Sequence, residues 1–201
     1  KIKDYIFYFF GDEKKILEVI KKYKYLNNNK KIFDTKIVVS NELSPMSALK
    51  KGKNSSMWNS IQSQIDLNTD VSLSAGNTGV LLVMSKMILK TLTDVDKPAL
   101  AGLWPNEKNM NVVLDLGANI ECSDKNLIDF SIMGSSLFKS LFPDEKAKVA
   151  LLNIGSEELK GNEVIKETYQ KLNQIVNEDF EFKGFIEGNH LMDGDVNVIV
   201  A

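Results

Sequence analysis

Four short stretches combine residue types whose spacing could handle anions and polarised carbonyls. The first is Asp70-Val71-Ser72-Leu73-Ser74-Ala75-Gly76-Asn77-Thr78-Gly79, where an apolar alternation runs into small and polar residues just before the apolar segment from Val80. Glycine at 76 and 79 permits left-handed or crowded backbone. A helix N-terminus opening there would direct N–H groups at an anion, with the Asn77 and Thr78 side chains beside it. The same residues also suit a plain helix cap after a turn. The stretch lacks the three-glycine dinucleotide pattern and the lysine of a Walker loop.

The second stretch, Val112-Val113-Leu114-Asp115-Leu116-Gly117-Ala118-Asn119, places Asp115, Gly117 and Asn119 on one side of a strand end by alternation, and an Asx turn explains them as well. The third runs from Leu151-Leu152-Asn153 through Gly155 to Lys160-Gly161-Asn162-Glu163. It sets a lysine and two amides beside glycine at a helix start, which suits contact with a phosphate or a carbonyl. The fourth, Lys50-Lys51-Gly52-Lys53-Asn54-Ser55-Ser56, gathers three lysines before a helix that Ser55 or Ser56 could cap. A solvated basic face is its plain alternative.

The chemistry left open by these residues is narrow. His190 is the only histidine and Cys122 the only cysteine, so no Ser-His-Asp triad assembles and no His/Cys cluster has metal spacing. Cys122 reads as a small buried apolar residue, and with one cysteine no intrachain disulfide can form, which suits a reducing cytoplasm. All 25 basic residues are lysine, so any anion must be held by backbone N–H groups, lysine, or small polar side chains, without a guanidinium fork. A formal charge of -2 supplies no overall field for nucleic acid or an anionic membrane.

The elements that must position these residues follow from hydropathy. With 201 residues, 43% hydrophobic and 26% charged, the chain can bury a sizeable core. Its longest apolar runs, Tyr5 to Phe10 and Val80 to Met84, fall far short of the roughly 20 residues of a membrane-spanning helix. Short β-branched runs predict strands at 4–9, 35–39, 70–74, 98–103, 110–116, 147–153 and 196–201. Helical spacing predicts helices at 12–25, 44–51, 55–67, 78–92, 124–141 and 162–177. Residues 27–31, Asn27-Asn28-Asn29-Lys30-Lys31, are expected to form a surface loop. The alternation implies one α/β domain over 1–201, a mainly parallel sheet with helices on both faces, and ligands beyond the carboxyl ends of its strands. The apolar run Val196 to Val200 at the end of the chain suggests an interrupted strand.

Taken together these segments resemble the PlsX family of acyl-ACP:phosphate acyltransferases. The resemblance rests on Lys51 and Lys53 through Ser55-Ser56-Met57, Ser74 through Gly79, Lys97-Pro98-Ala99-Leu100-Ala101, and Leu114 through Asn119 with Cys122. It continues in Met133-Gly134, Leu151 through Gly155, Lys160 through Glu163, and Gly188-Asn189. Lysine stands at 50 and 97 where the family often has arginine, and Ser40 where it often has histidine. The family's opening glycine/aspartate-rich segment would precede Lys1, and its later glycine-rich segment would follow Ala201. The resemblance implies a fold like isopropylmalate dehydrogenases and phosphotransacetylases and a homodimer, while the residues themselves lead to no expectation of a cofactor or metal. It also implies acyl carrier protein and inorganic phosphate as partners, with a cytoplasmic enzyme working peripherally at the membrane to make acyl phosphate for phospholipid synthesis.

On this reading Asn77, Thr78, Lys160 and Asn162 are the candidate catalytic groups. The candidate substrate and phosphate contacts are Lys51, Lys53, Ser55, Ser56, Ser74, Gly76, Gly79, Asp115, Gly117, Asn119, Asn153 and Gly161. The rivals are a phosphotransacetylase-like acyltransferase, a hydroxyacid dehydrogenase on the same fold, for which arginine would be expected, and a non-catalytic relative that binds acyl carrier protein.

Overall fold

A computed structural model describes residues 5–40, 42–157, 160–175 and 178–201. The chain forms two compact units, residues 1–91 and 92–201.

In the first unit, β1 (Phe7–Gly11) and β2 (Lys30–Asp34) pair in parallel, with Phe7 opposite Lys30 and Gly11 opposite Asp34. Between them α1 (Glu13–Ile20) starts on Asp12, whose carboxylate accepts from the N–H groups of Lys14 and Lys15. The bond from Lys15 holds that carboxyl below the usual aspartate range. Three further helices, α2 (Pro45–Lys51), α3 (Ser56–Asp66) and α4 (Thr78–Leu89), share a small core of Ala48, Met57, Ile61, Val80 and Met84.

Two expected strands of this unit do not form. In place of the strand expected at 35–39, a strand forms earlier, at 30–34, and its first two residues belong to the stretch 27–31 expected to be loop. Ile32 and Phe33 find a ladder on β1, whereas Val38 is 74% exposed and has no strand beside it. The strand expected at 70–74 is irregular, with Val71 and Leu73 turned to solvent. Its polar alternates do the holding: Ser72 donates to the Ser60 carbonyl at 2.6 Å and accepts from Gln64 at 2.9 Å. The helix expected at 12–25 ends at Ile20, followed by a short 3-10 turn at Lys24–Leu26.

The second unit is a five-stranded sheet in the order β3-β4-β7-β5-β6. Strands β4 (Met110–Leu114), β5 (Ala147–Leu152), β6 (Phe180–Ile186) and β7 (Val198–Val200) run parallel, and β3 (Gly102–Pro105) joins β4 antiparallel at the edge. Only the end of the strand expected at 98–103 is therefore a strand. β6 was not expected: Gly184, at φ 85, forms an irregularity opposite the Val149 to Leu151 step and breaks the alternation that marks a strand. Of the helix expected at 162–177, α6 covers Glu163–Gln174, and positions 176–177 lie outside the described residues, as does position 4 of the first expected strand.

Helix α5 (Asp124–Leu141) lies on the sheet and buries Leu127, Phe130 and Phe138 against Val112, Leu114, Val149, Leu151, Val198 and Val200. Leu172 of α6 enters the same cluster, so both helices of this unit cover one face. The other face packs Val113, Ala150 and Ile199 with Trp104, Leu116 and Leu191. Among the described residues no helix is long and apolar enough to cross a membrane.

Gly134 lets α5 lie close on the sheet. A Cβ there would lie 2.6 Å from Leu114 Cδ1 and 2.7 Å from Val198 Cγ1. Gly134→Val should therefore lower stability by about 1–3 kcal/mol through overpacking, although replacing a helical glycine would otherwise help. Urea unfolding checks this, and an unchanged midpoint would show that the contact is slack.

Candidate functional site

In the first unit the turn from Ser74 to Gly79 is built by side chains that bond their own backbone. Ser74 Oγ accepts from the Gly76 N–H at 3.1 Å, and Asn77 Oδ1 accepts from the Val80 N–H at 3.0 Å, capping α4. Thr78 and Gly79 open that helix, so their N–H groups lie where no intrahelical acceptor exists. Ser74, Gly76 and Thr78 are exposed. Neither Gly76 nor Gly79 is left-handed, contrary to one reading of the sequence. Crowding explains Gly76, since a Cβ there would come 2.6 Å from Met57 Cε.

The basic loop in this unit divides in two. Ser55 is fully buried, and its hydroxyl accepts from the Trp58 N–H at 3.2 Å to cap α3. The Ser56 N–H is held by the Ile37 carbonyl at 3.0 Å. Lys51 and Lys53 remain at the surface on either side of Gly52. That glycine is dictated by space, because a Cβ would sit 2.5 Å from the Ala48 carbonyl oxygen.

In the second unit two loops leave the carboxyl ends of β4 and β5. One strand, β7, lies between them, so they stand about 10 Å apart at one edge of the sheet. After β4 the Leu114–Asp115 peptide is cis. Asp115, 8% exposed, accepts from the Leu100 N–H at 2.8 Å, from the Asn119 N–H at 2.7 Å and from Asn119 Nδ2 at 2.8 Å. Asn119 Nδ2 also donates to the Pro98 carbonyl at 2.9 Å. Asp115 and Asn119 are thus brought together, and both are occupied in tying residues 98–100 to the loop. Gly117, exposed at φ 76, forms its outer bend, with nothing within 4 Å of where a Cβ would stand. The sequence reading overlooked the Pro98 and Leu100 backbone groups; the Lys97-Pro98-Ala99-Leu100-Ala101 motif was the available signal.

After β5, Asn153 is buried, while Lys160 and Asn162 are exposed. Asn162 Oδ1 caps α6 by accepting from the Ile165 N–H at 2.9 Å. Gly161 holds φ 91, the left-handed region that glycine enters without strain. Positions 158–159 of this stretch lie outside the described residues. Cys122 is half-buried at the rim of the core, and burial pushes its thiol up, away from the thiolate a nucleophile needs.

Among the described residues no group of three or more His, Cys, Asp or Glu side chains could hold a metal ion. A cleft of about 360 Å³ opens at the opposite, amino-terminal end of the strands, lined by Asn106, Lys108, Lys146, Lys148 and Asn197 among others. It contains none of the candidate residues, and chemistry at the strand ends does not depend on it.

A family model described as "Fatty acid synthesis protein" matches residues 1–201. The phosphate acyltransferase of Pelagibacter ubique (strain HTCC1062) is 65% identical over 192 residues, 96% of this chain and 57% of that protein. That of Bartonella henselae is 40% identical over 196 residues, 97% of this chain and 55% of that protein. The chain thus spans a little over half the length of these relatives. Among solved structures, the EutD phosphotransacetylase from Staphylococcus aureus matches with a TM-score of 0.60 at 16% identity, covering 94% of this chain and 67% of that one. A branched-chain phosphotransacylase from Enterococcus faecalis V583 matches with a TM-score of 0.58 at 15% identity, covering 97% and 78%. These two likenesses establish the fold alone.

His190 sits in the short 3-10 turn Gly188–His190 that follows β6. Its Nδ1 is 2.7 Å from Asp193, and that bond raises its pKa above the ordinary 6.5. The ion pair therefore stabilises the folded chain below the ordinary value, and its contribution is lost as pH rises through the raised value. NMR titration of this sole histidine should give a midpoint above 6.5 that falls toward 6.5 in Asp193→Asn. Equal midpoints in the two proteins would show that the pair does not form in solution.

Proposed function

The chain belongs to the fatty acid synthesis protein family, the PlsX family that its motifs resemble, and from that premise we propose that it carries acyl-transfer machinery of a phosphate acyltransferase. The observation that carries this reading is the family match over residues 1–201, joined to 65% identity with a phosphate acyltransferase. The acceptor is inorganic phosphate and the donor a long-chain acyl thioester on acyl carrier protein. A phosphate oxygen attacks the thioester carbonyl, an oxyanion forms, and its collapse expels the thiolate and leaves acyl phosphate. A thiolate already leaves readily near its pKa, so the protein's work is mainly placement and charge stabilisation.

The residues support those tasks without an arginine or a catalytic histidine. In the first unit Thr78, exposed, and Gly79 open α4 with N–H groups that have no intrahelical acceptor, which suits an anion-binding turn, with Ser74, Gly76 and Asn77 shaping it. In the second unit Lys160 offers an exposed ammonium beside the Asn162 cap, while Gly117, exposed, and Gly161, half-buried, turn the chain at the carboxyl end of the sheet. Asp115 and Asn119 hold that edge in shape. Lys51 and Lys53 suit a salt-sensitive contact with an acidic carrier protein. A homodimer working in the cytoplasm, peripherally at the membrane, in phospholipid synthesis, and residues 1–201 acting as parts of one acyltransferase domain, complete the proposal.

Mass spectrometry of the intact protein with palmitoyl-ACP, acetyl-CoA and phosphate tests the reaction: palmitoyl phosphate is expected, and hydride transfer to NAD or no acyl phosphate would sink the reading. The turn at 74–79 is tested by Thr78→Ala, since the Thr78 hydroxyl is exposed and Asn77 bears the cap. As an anion contact it should cost about 10- to 1,000-fold in kcat/KM with little change in melting temperature. Asn77→Ala should in addition lose about 1 kcal/mol of stability. Wild-type kinetics in folded samples of both variants would make the turn purely structural.

A further inference from the structure

We propose that Asn153 is a positioning residue that sets the backbone of Lys160 for acyl transfer and does not itself hold phosphate. The inference rests on the reading above, in which Lys160 serves that reaction. Asn153 stands one residue beyond β5, where its N–H still donates to the Ile186 carbonyl at 3.0 Å and so continues the β5-β6 ladder. Its side chain turns back under the loop and is 9% exposed. Nδ2 donates to the Lys160 carbonyl at 3.1 Å, across seven residues, and Oδ1 accepts from the Ile154 N–H at 2.9 Å. One donor and one acceptor of the carboxamide are thereby committed inside the protein.

The surroundings are built to this side chain. A Cβ at Gly161 would come 2.5 Å from Asn153 Oδ1 and 3.2 Å from its Cγ, so the chain passes the amide as glycine, at φ 91. At Gly155 a Cβ would stand 3.0 Å from Lys160 Cγ, so the lysine stem lies over a second glycine. The Lys160 N–H donates to the Glu157 carbonyl at 3.0 Å. Both backbone polar groups of Lys160 are therefore fixed while its ammonium stays exposed, which is how a rigid support presents a charge at a set place. Among the described residues of this loop, Asn153 is the one buried side chain in that support.

Because the link runs through the Lys160 carbonyl, it can be separated from phosphate binding and from bulk stability. In the intact protein Asn153→Ala should lower kcat about 10- to 100-fold, the order expected of a displaced catalytic group, with the KM for inorganic phosphate changed less than about 3-fold. Placed on a Lys160→Ala background, the same change should lower kcat by less than about 3-fold more, since residues acting as a unit are not additive. Asn153→Asp supplies a control that keeps the shape. An ionised carboxylate repels the Lys160 carbonyl, whereas a protonated one donates to it, so activity relative to wild type should recover as pH falls through the introduced carboxyl's titration. A large rise in phosphate KM, additive losses with Lys160→Ala, or a flat pH ratio for Asn153→Asp would each overturn the inference while an active wild type leaves the function standing. A wild-type protein that makes no acyl phosphate would overturn both.

Discussion

The close seat of α5 on the parallel strands governs the second unit. Val112 and Leu114 of β4, Val149 and Leu151 of β5, and Val198 and Val200 of β7 turn one face toward Leu127, Phe130 and Phe138, and all of these are nearly or wholly shut from water. Burying side chains of this size is worth about 1.5–3 kcal/mol each, which far outweighs any surface contact in the chain. Gly134 lets the helix come down onto Leu114 and Val198. Once that layer is closed, the carboxyl ends of β4 and β5 have one allowed place, and the loops beyond them inherit it.

Those loops face a problem the core does not solve, because backbone leaving a buried strand carries polar groups that water cannot easily reach. The answer in both cases is a short buried polar side chain near the strand end. Asp115 gathers the N–H groups of Leu100 and Asn119, and Asn153 spans Ile154 and Lys160. Each is followed by a left-handed glycine, Gly117 or Gly161, that turns the chain outward. Rigid support on the inside and the turn outward thus come from a pair of residues in each loop, a buried polar side chain and a glycine.

The missing arginine gives this architecture its chemical character. Lysine offers a point charge without a fork, so direction must be supplied by backbone N–H groups and amide caps. Several lysines are moreover committed to pairs: Lys108 with Asp195, Lys125 with Asp96 and Asp129, and Lys171 with Asp124. These pairs lie at the surface, where salt screens them and each adds little.

Local chemistry was legible in the amino-acid order. The caps at Ser55, Asn77 and Asn162, the long helix at 124–141 and the buried strands β4, β5 and β7 all follow from spacing and side-chain type, which act over a few residues. The motifs at 74–79, 115–119 and 153–162 were likewise visible as polar turns beside helices and strand ends. Their bonding partners were not visible, because the Leu100 and Asn119 N–H groups that Asp115 accepts from and the Lys160 carbonyl that Asn153 donates to are named only by the folded chain. The same holds for 35–39 and 70–74, whose β-branched residues match the alternation of a strand but have none to pair with, and for β6, which forms across Gly184 because β5 offers a ladder. Sequence determined which segments could become strand, helix or cap; tertiary structure alone decided which of them found a partner, because a ladder, a buried hydrogen bond or a close helix contact needs a second piece of chain distant in the sequence.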